Sequence, residues 1–256
     1  MPDDLPALIA HARSQAIGDL LRRSAARDPE KTAIVYRDLR QTYAELDVTV
    51  NRTAAALAAR GIGPGDRVVL FSHNNHAFVV AYFALARLGA VSVPVNFVLT
   101  ADEVAYVLAH SGAAGLIAED ALVPVAEQAL AEQALAKQAL AGPSGPAGPG
   151  AAGGGITVRG VIPEHGQEQP GWEPVTDWMT HADATPPNIT VAGDDLAQLI
   201  YTSGTESRPK GAMLSHHSLI AQYVSCVVDG EMTGADVEVH SLPLYHCAQL
   251  HCCRGP

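Results

Sequence analysis

The sequence predicts an α/β fold with parallel-sheet layers and flanking helices, and three observations carry that prediction. Helical and strand patterns alternate several times over residues 14–119. The strand segments are short, continuous apolar runs, and helix-start signals recur between them. Consecutive strands separated by helices must run parallel, and a parallel strand covered by helices on both faces has no reason to alternate polar and apolar residues.

Taken in order, Ile17, Leu20, Leu21 and Ala25 recur at helical spacing and stop at Asp28-Pro29, after which TAIVY supplies a β-branched strand. Thr42 and Glu45 form a capping box, each side chain satisfying a backbone N–H that a helix start leaves orphaned. The helix they open should turn Leu46, Val50, Ala54 and Leu57 inward and end at Gly61, and RVVLF after the GIGPGD turn should be a buried strand. A helix over 77–88, closed by Gly89, leads into the strand AVSVPV. Thr100 and Glu103 repeat the capping box, and GLIAE is the next strand.

Residues 126–140 read AEQAL, AEQAL, AKQAL. These are strong helix formers, but leucines five residues apart rotate around a helix and cannot share one face. The Gly/Pro-rich stretch that follows breaks regular structure, so the expected division is an α/β subdomain over 1–125, a helical and Gly/Pro-rich insert over 126–155, and an α/β segment over 156–256. In that last segment ITVRGVI, residues 196–201 and residues 237–242 are expected strands. Ser215 should cap a helix whose Leu219, Ile220, Tyr223, Val224, Val227 and Val228 make a broad apolar face.

A net charge of −11, with basic residues clustered only at Arg22, Arg23 and Arg27, excludes a nucleic-acid surface, because phosphate neutralisation needs grouped Lys and Arg. The amino terminus has an acidic rather than a basic start, and the most apolar stretch, 77–95, is interrupted by Arg87, Gly89 and Pro94. A transmembrane segment is therefore not expected, and a cytoplasmic location is. Cys226, Cys247, Cys252 and Cys253 all fall late in the chain, which fits reduced thiols better than a disulfide framework.

The densest chemistry lies in LIYTSGTESRPKGAML, residues 199–214. Gly204 and Gly211 would let backbone approach an oxyanion, Thr and Ser hydroxyls would donate to it, and Lys210 would add a mobile positive charge. The order expected is strand, loop, lysine, helix. It is not a Walker loop, which needs glycine before the lysine and Ser or Thr after it, where this chain has Pro209 and Gly211. A solvent-exposed turn is the competing reading of the same residue types.

YTSGTESRPKGAMLSH resembles the phosphate loop of the AMP-forming adenylate synthetases, the superfamily of acyl-CoA synthetases, luciferases and peptide-synthetase adenylation domains. LPLYHCAQL resembles the motif that follows it, and TYAEL, GIGPGDRVVL and YFALARLGAVSVPVN match that family's amino-terminal region in order. The resemblance implies an incomplete amino-terminal domain of an adenylate-forming ligase. Such a ligase activates a small-molecule carboxylate, here a fatty acid, as acyl-adenylate and then acyl-CoA, using ATP, Mg2+ and coenzyme A. By position it implies that Thr202, Ser203, Gly204, Thr205, Glu206 and Lys210 hold ATP phosphates. His246, with Tyr245 beside it, would line the space between α-phosphate and carboxylate, so that His246 and Lys210 are the catalytic candidates. His216 and His217 are expected to be exposed or helix-capping.

The loop departs from the family at Glu206 and Ser207, where a hydroxyl residue and glycine are usual. A carboxylate beside a triphosphate needs a cation, so Glu206 either holds magnesium or turns outward to pair with Arg208. The resemblance also implies an adenine-binding segment, an acidic magnesium ligand, a ribose-binding aspartate and a mobile carboxyl-terminal domain with a catalytic lysine, none of which occurs in these 256 residues. The expectation is a truncated form that does not form acyl-CoA alone. Two alternatives are a non-catalytic nucleotide-binding remnant and a zinc site built from His246, Cys247, His251, Cys252 and Cys253.

Overall fold

A computed structural model describes residues 15–140, 155–202 and 209–246. In chain order the elements are α1 (Ile17–Arg27), β1 (Thr32–Tyr36), β2 (Leu39–Thr42), α2 (Tyr43–Ala59), β3 (Arg67–Phe71), α3 (His76–Arg87), β4 (Val91–Pro94), α4 (Ala101–Ser111) and β5 (Gly115–Glu119). A 3-10 turn (Asp120–Leu122) then leads into α5 (Val123–Leu140), β6 (Val158–Ile162), β7 (Glu173–Pro174), α6 (Val175–Met179), β8 (Leu196–Thr202), β9 (Lys210–Ser215) and α7 (His216–Asp229). β1 and β2 form a separate antiparallel hairpin, and the main sheet has the order β7-β6-β5-β3-β4-β8-β9. Every pairing in it is parallel except β8 with the edge strand β9.

The helix starts follow from local chemistry. At α2 the Glu45 N–H donates to Thr42 Oγ1 at 3.2 Å while the Thr42 N–H donates to Glu45 Oε2 at 2.8 Å. At α4 the Thr100 N–H donates to Glu103 Oε2 at 2.9 Å, and Gly112 closes the helix in the left-handed region at φ 62°. Asn75 caps α3 by accepting from the Phe78 N–H at 2.8 Å. The α1 start has no side-chain cap of its own.

The all-apolar strands divide their side chains between two cores by simple alternation. Val68 and Leu70 of β3 pack with Leu46, Val50, Leu57, Phe78 and Trp178 on one face; Val69 and Phe71 pack with Val104, Leu108, Leu116 and Leu130 on the other. Sequence position alone sends β5 Ile117 to the first core and Leu116 and Ala118 to the second. Each such buried aliphatic side chain contributes about 1.5–3 kcal/mol of transfer free energy before entropy is counted. Gly160 in β6 exists for space: a Cβ there would lie 2.4 Å from Trp178 Cη2.

One feature of the expected pattern holds and two differ, each for a physical reason. The pentad helix α5 is docked over its first half, with Ala126, Ala129 and Leu130 buried against α4, whereas Leu135 is exposed, as leucines spaced by five require. Residues 237–242 are not a strand. Their backbone has no ladder partner; instead the Asn74 side-chain amide donates to the carbonyls of His240 at 3.3 Å and Leu242 at 2.8 Å. Finally, α7 buries Leu219, Ile220 and Tyr223 and leaves Val224 and Val228 exposed, because only one stripe of the helix meets the sheet.

Candidate active site

In an open parallel sheet, ligands bind beyond the carboxyl ends of the strands. β3, β4 and β8 are neighbours running the same way, and the segments that leave them are His73 to Asn75, Val95 to Phe97 and the residues after Thr202. All three open at one end of the sheet.

Thr202, the last residue of β8, is exposed and sits directly opposite exposed Lys210, the first residue of β9. The connection between them is therefore a hairpin loop, with Thr202 and Lys210 as the final cross-strand pair at its mouth. This corrects the strand, loop, lysine, helix order: Lys210 opens a strand, and only after Ser215 does the helix begin, with the Ser218 N–H donating to Ser215 Oγ at 3.2 Å. KGAMLS pairs with β8 along its length, which a sequence pattern without polar alternation does not announce. Ser203, Gly204, Thr205 and Glu206 lie outside the described residues, as does Arg208, the alternative partner of Glu206.

The base of the hairpin is held by α4. Tyr106 Oη donates to the Pro209 carbonyl at 3.1 Å, and His110 Nδ1 lies 2.9 Å from Tyr201 Oη. Tyr106 meets Tyr201 edge-on at 6.4 Å, and burial with the nearby Tyr106 pushes the Tyr201 phenol up to about 12. Tyr201 is thus a neutral packing and hydrogen-bonding group across the physiological range.

His246 is exposed in a tight turn, its N–H donating to the Pro243 carbonyl at 3.1 Å. The turn is fastened to the end of β3: the Leu244 N–H donates to Asn74 Oδ1 at 2.7 Å while the other end of the same amide holds Leu242. Tyr245 meets Phe97 edge-on at 5.4 Å, and Phe97 stacks on His73 at 4.0 Å. The structure therefore brings His246 and the Thr202–Lys210 pair to one end of the sheet. Sequence reasoning missed Asn74, Phe97, Tyr106 and His110, although the Asn-Asn pair that follows RVVLF after Ser72 and His73 stands where such a sheet presents its ligand-side residues.

His216 does not face this site. It is fully buried and caps the otherwise uncapped α1, the Ile17 N–H donating to His216 Nδ1 at 3.1 Å. His217 is surface-exposed and pairs with Asp194 at 3.1 Å. Of the zinc alternative, only His246 falls within the described residues, and Cys226 is a free thiol. Among the described residues no helix is long and apolar enough to cross a membrane.

The AMP-binding enzyme family matches residues 21–256. A feruloyl-CoA synthase from Amycolatopsis is 34% identical over 238 residues, covering 93% of this chain and 41% of that protein. The long-chain-fatty-acid–CoA ligase FadD13 of Mycobacterium tuberculosis is 33% identical, covering 91% of this chain and 42% of that protein. The chain thus spans about two fifths of the length of these curated relatives. Among solved structures, a long-chain-fatty-acid CoA ligase from Rhodopseudomonas palustris superposes with a TM-score of 0.79 at 26% identity, covering 94% of this chain and 55% of that one. The inhibitor-bound N-terminal domain of FACL13 from Mycobacterium tuberculosis does so with a TM-score of 0.70 at 30% identity, covering 93% and 54%. With the family matched over nearly the whole length, the chain belongs to the AMP-binding enzyme family.

Proposed function

We propose that this chain is the phosphate-gripping part of an ATP-dependent ligase that activates a carboxylic acid, a fatty acid by preference, first as acyl-adenylate and then as acyl-CoA. The observation that supports the reading best is the cross-strand pair of Thr202 and Lys210 at the mouth of a hairpin loop, on the same sheet end as the Asn74-tethered His246 turn. Relatives described as CoA ligases support the reaction class.

In the first step a carboxylate oxygen bonds to the α-phosphorus while the bond from that phosphorus to pyrophosphate breaks; in the second the coenzyme A sulfur attacks the acyl carbon and AMP leaves. The protein's contribution is position and charge. Lys210 would neutralise charge accumulating on the departing pyrophosphate, and the hydroxyl of Thr202, with those of Ser203 and Thr205 and the backbone around Gly204, would donate to its oxygens. His246 would border the α-phosphate and acyl carboxylate. A bound magnesium ion would screen the phosphate charges, with Glu206 as its proposed protein ligand. The division into 1–125, 126–155 and 156–256 belongs to the same proposal, the insert taking no part in the chemistry.

Binding is the direct test. ATP affinity is measured by equilibrium dialysis for the 256-residue chain and for Lys210→Ala. Loss of one charged phosphate contact costs about 1.5–3 kcal/mol, or about 10- to 150-fold in affinity. Unchanged affinity in Lys210→Ala, or no ATP binding by the parent chain, would refute the assignment.

A further inference from the structure

We infer that Glu119, Asp120 and His165 form a binding site for a divalent transition cation of the zinc class, separate from the nucleotide loop. Glu119 ends β5, Asp120 opens the turn after it, and His165 lies in the loop that leaves β6, so two adjacent parallel strands deliver the three donors at their carboxyl ends. The donor atoms all lie within 4.8 Å of one another. Glu119 is 3% exposed and Asp120 is fully buried. Two adjacent buried carboxylates are costly unless they are paired or coordinate a metal.

The surrounding hydrogen bonds sort the carboxylate oxygens. Glu119 Oε2 accepts from Ser72 Oγ at 3.2 Å and from the His73 N–H at 2.9 Å, with His73 Nδ1 also 2.9 Å away. Its other oxygen, Oε1, takes no hydrogen bond from a described residue and points at His165 Nδ1, 3.7 Å away. Asp120 Oδ2 accepts from the backbone N–H groups of His165 at 2.8 Å and Gln167 at 3.2 Å, leaving Oδ1 against His165 Nδ1 at 2.9 Å, where it also accepts from the Ala121 N–H. Each carboxylate thus has one oxygen held by outer donors and the other facing the imidazole, Asp120 Oδ1 being shared with the Ala121 N–H. That is how metal-binding carboxylates are oriented by the groups behind them.

Size and chemistry agree. Tetrahedral zinc with N and O ligands at about 2.0–2.1 Å has ligand–ligand edges of about 3.3 Å. The 2.9 and 3.7 Å separations straddle that value. One imidazole and two carboxylates suit zinc better than the harder magnesium or calcium, which take oxygen alone. The loop carrying His165 is pinned independently: Glu164 accepts from Tyr36 Oη at 2.8 Å and pairs with Arg37 at 3.0 Å. The half-exposed His165 ring gives an ion access from solvent.

The test uses the untagged 256-residue chain carrying Cys226→Ser, Cys247→Ser, Cys252→Ser and Cys253→Ser, so that thiolates cannot supply a competing site. Zinc is titrated against a chromophoric chelator, and thermal unfolding is followed with and without zinc. One equivalent is expected to bind, to raise Tm by about 5–10 °C at ~100-fold excess over Kd, and to lose at least about tenfold in affinity in each of His165→Ala and Glu119→Gln. His165→Ala removes a half-exposed side chain, so it tests the site without emptying the core. The proposal is overturned if the thiol-free chain binds no zinc, if zinc leaves Tm unchanged, or if the His165 variant binds as tightly as its parent.

Discussion

Lowering the pH should weaken this fold through one buried side chain, His216. Burial, first among the causes, holds its pKa down at about 4, only partly opposed by Asp195 and Asp19, with His217 adding to the depression. The geometry explains why protonation is resisted: Nδ1 must stay unprotonated to accept from the Ile17 N–H at the start of α1, where the helix dipole already presents positive charge. Nε2 then carries the ring's one proton, buried with no hydrogen-bond partner, and a second proton could add only at Nδ1, where it would break the bond from Ile17 and leave a cation with no acceptor beside it. With the folded pKa near 4 and the unfolded one near 6.5, the unfolded chain binds more protons between those values. Stability therefore falls as pH falls through that window and is flat on either side. Integration gives a loss of about 2 kcal/mol by pH ~5 and about 3 kcal/mol by pH ~4. In a domain of this size about 2 kcal/mol lowers Tm by about 4–8 °C.

Acid also weakens other groups, so the measurement is a comparison. His216→Asn keeps an acceptor for Ile17 and cannot titrate. It should be less stable than the parent at neutral pH, having lost ring atoms from a filled site, yet lose about 4–8 °C less on going from pH ~7 to pH ~5. Thermal unfolding by circular dichroism reads both quantities. Equal pH slopes in the two proteins would refute the assignment of that loss to His216.

Other expectations are simpler to state. Gly160→Ala drives a Cβ into the buried Trp178 indole and should destabilise the fold by about 1–3 kcal/mol, read as a lower denaturation midpoint with unchanged m-value; an unchanged midpoint would mean that the indole shifts freely. Asn74→Ala removes the amide that holds Leu242 and Leu244, so limited proteolysis should cut residues 237–246 faster while the midpoint of the core moves little; unaltered cleavage would count against Asn74 as the tether. Arg87→Met leaves Asp47 without its buried partner and should cost about 3–5 kcal/mol, with double replacement of both residues recovering part of it; no recovery would place the cost in packing instead.

The local elements were legible in the sequence because short-range chemistry specifies them. Thr42 with Glu45 opens α2, Thr100 with Glu103 opens α4, Ser215 opens α7, and RVVLF and GLIAE are β3 and β5 with the expected bounds. The α/β class and the family followed from the order of those elements and from the residues around Lys210. Tertiary pairing decided the rest. Whether KGAMLS is strand or loop depends on β8 lying beside it, and whether residues 237–242 form a strand depends on a ladder partner that the fold does not supply there. The Asn74 tether, the Tyr106 anchor and the meeting of Glu119 and Asp120 with His165 join residues 45 to 170 positions apart in sequence, and no local pattern encodes a contact of that range. By itself the sequence determined the capped helices, the buried central strands and the family, because caps and apolar runs are set by residues close in sequence. Only the tertiary structure decided what each loop faces, because that depends on which strands become neighbours in the sheet.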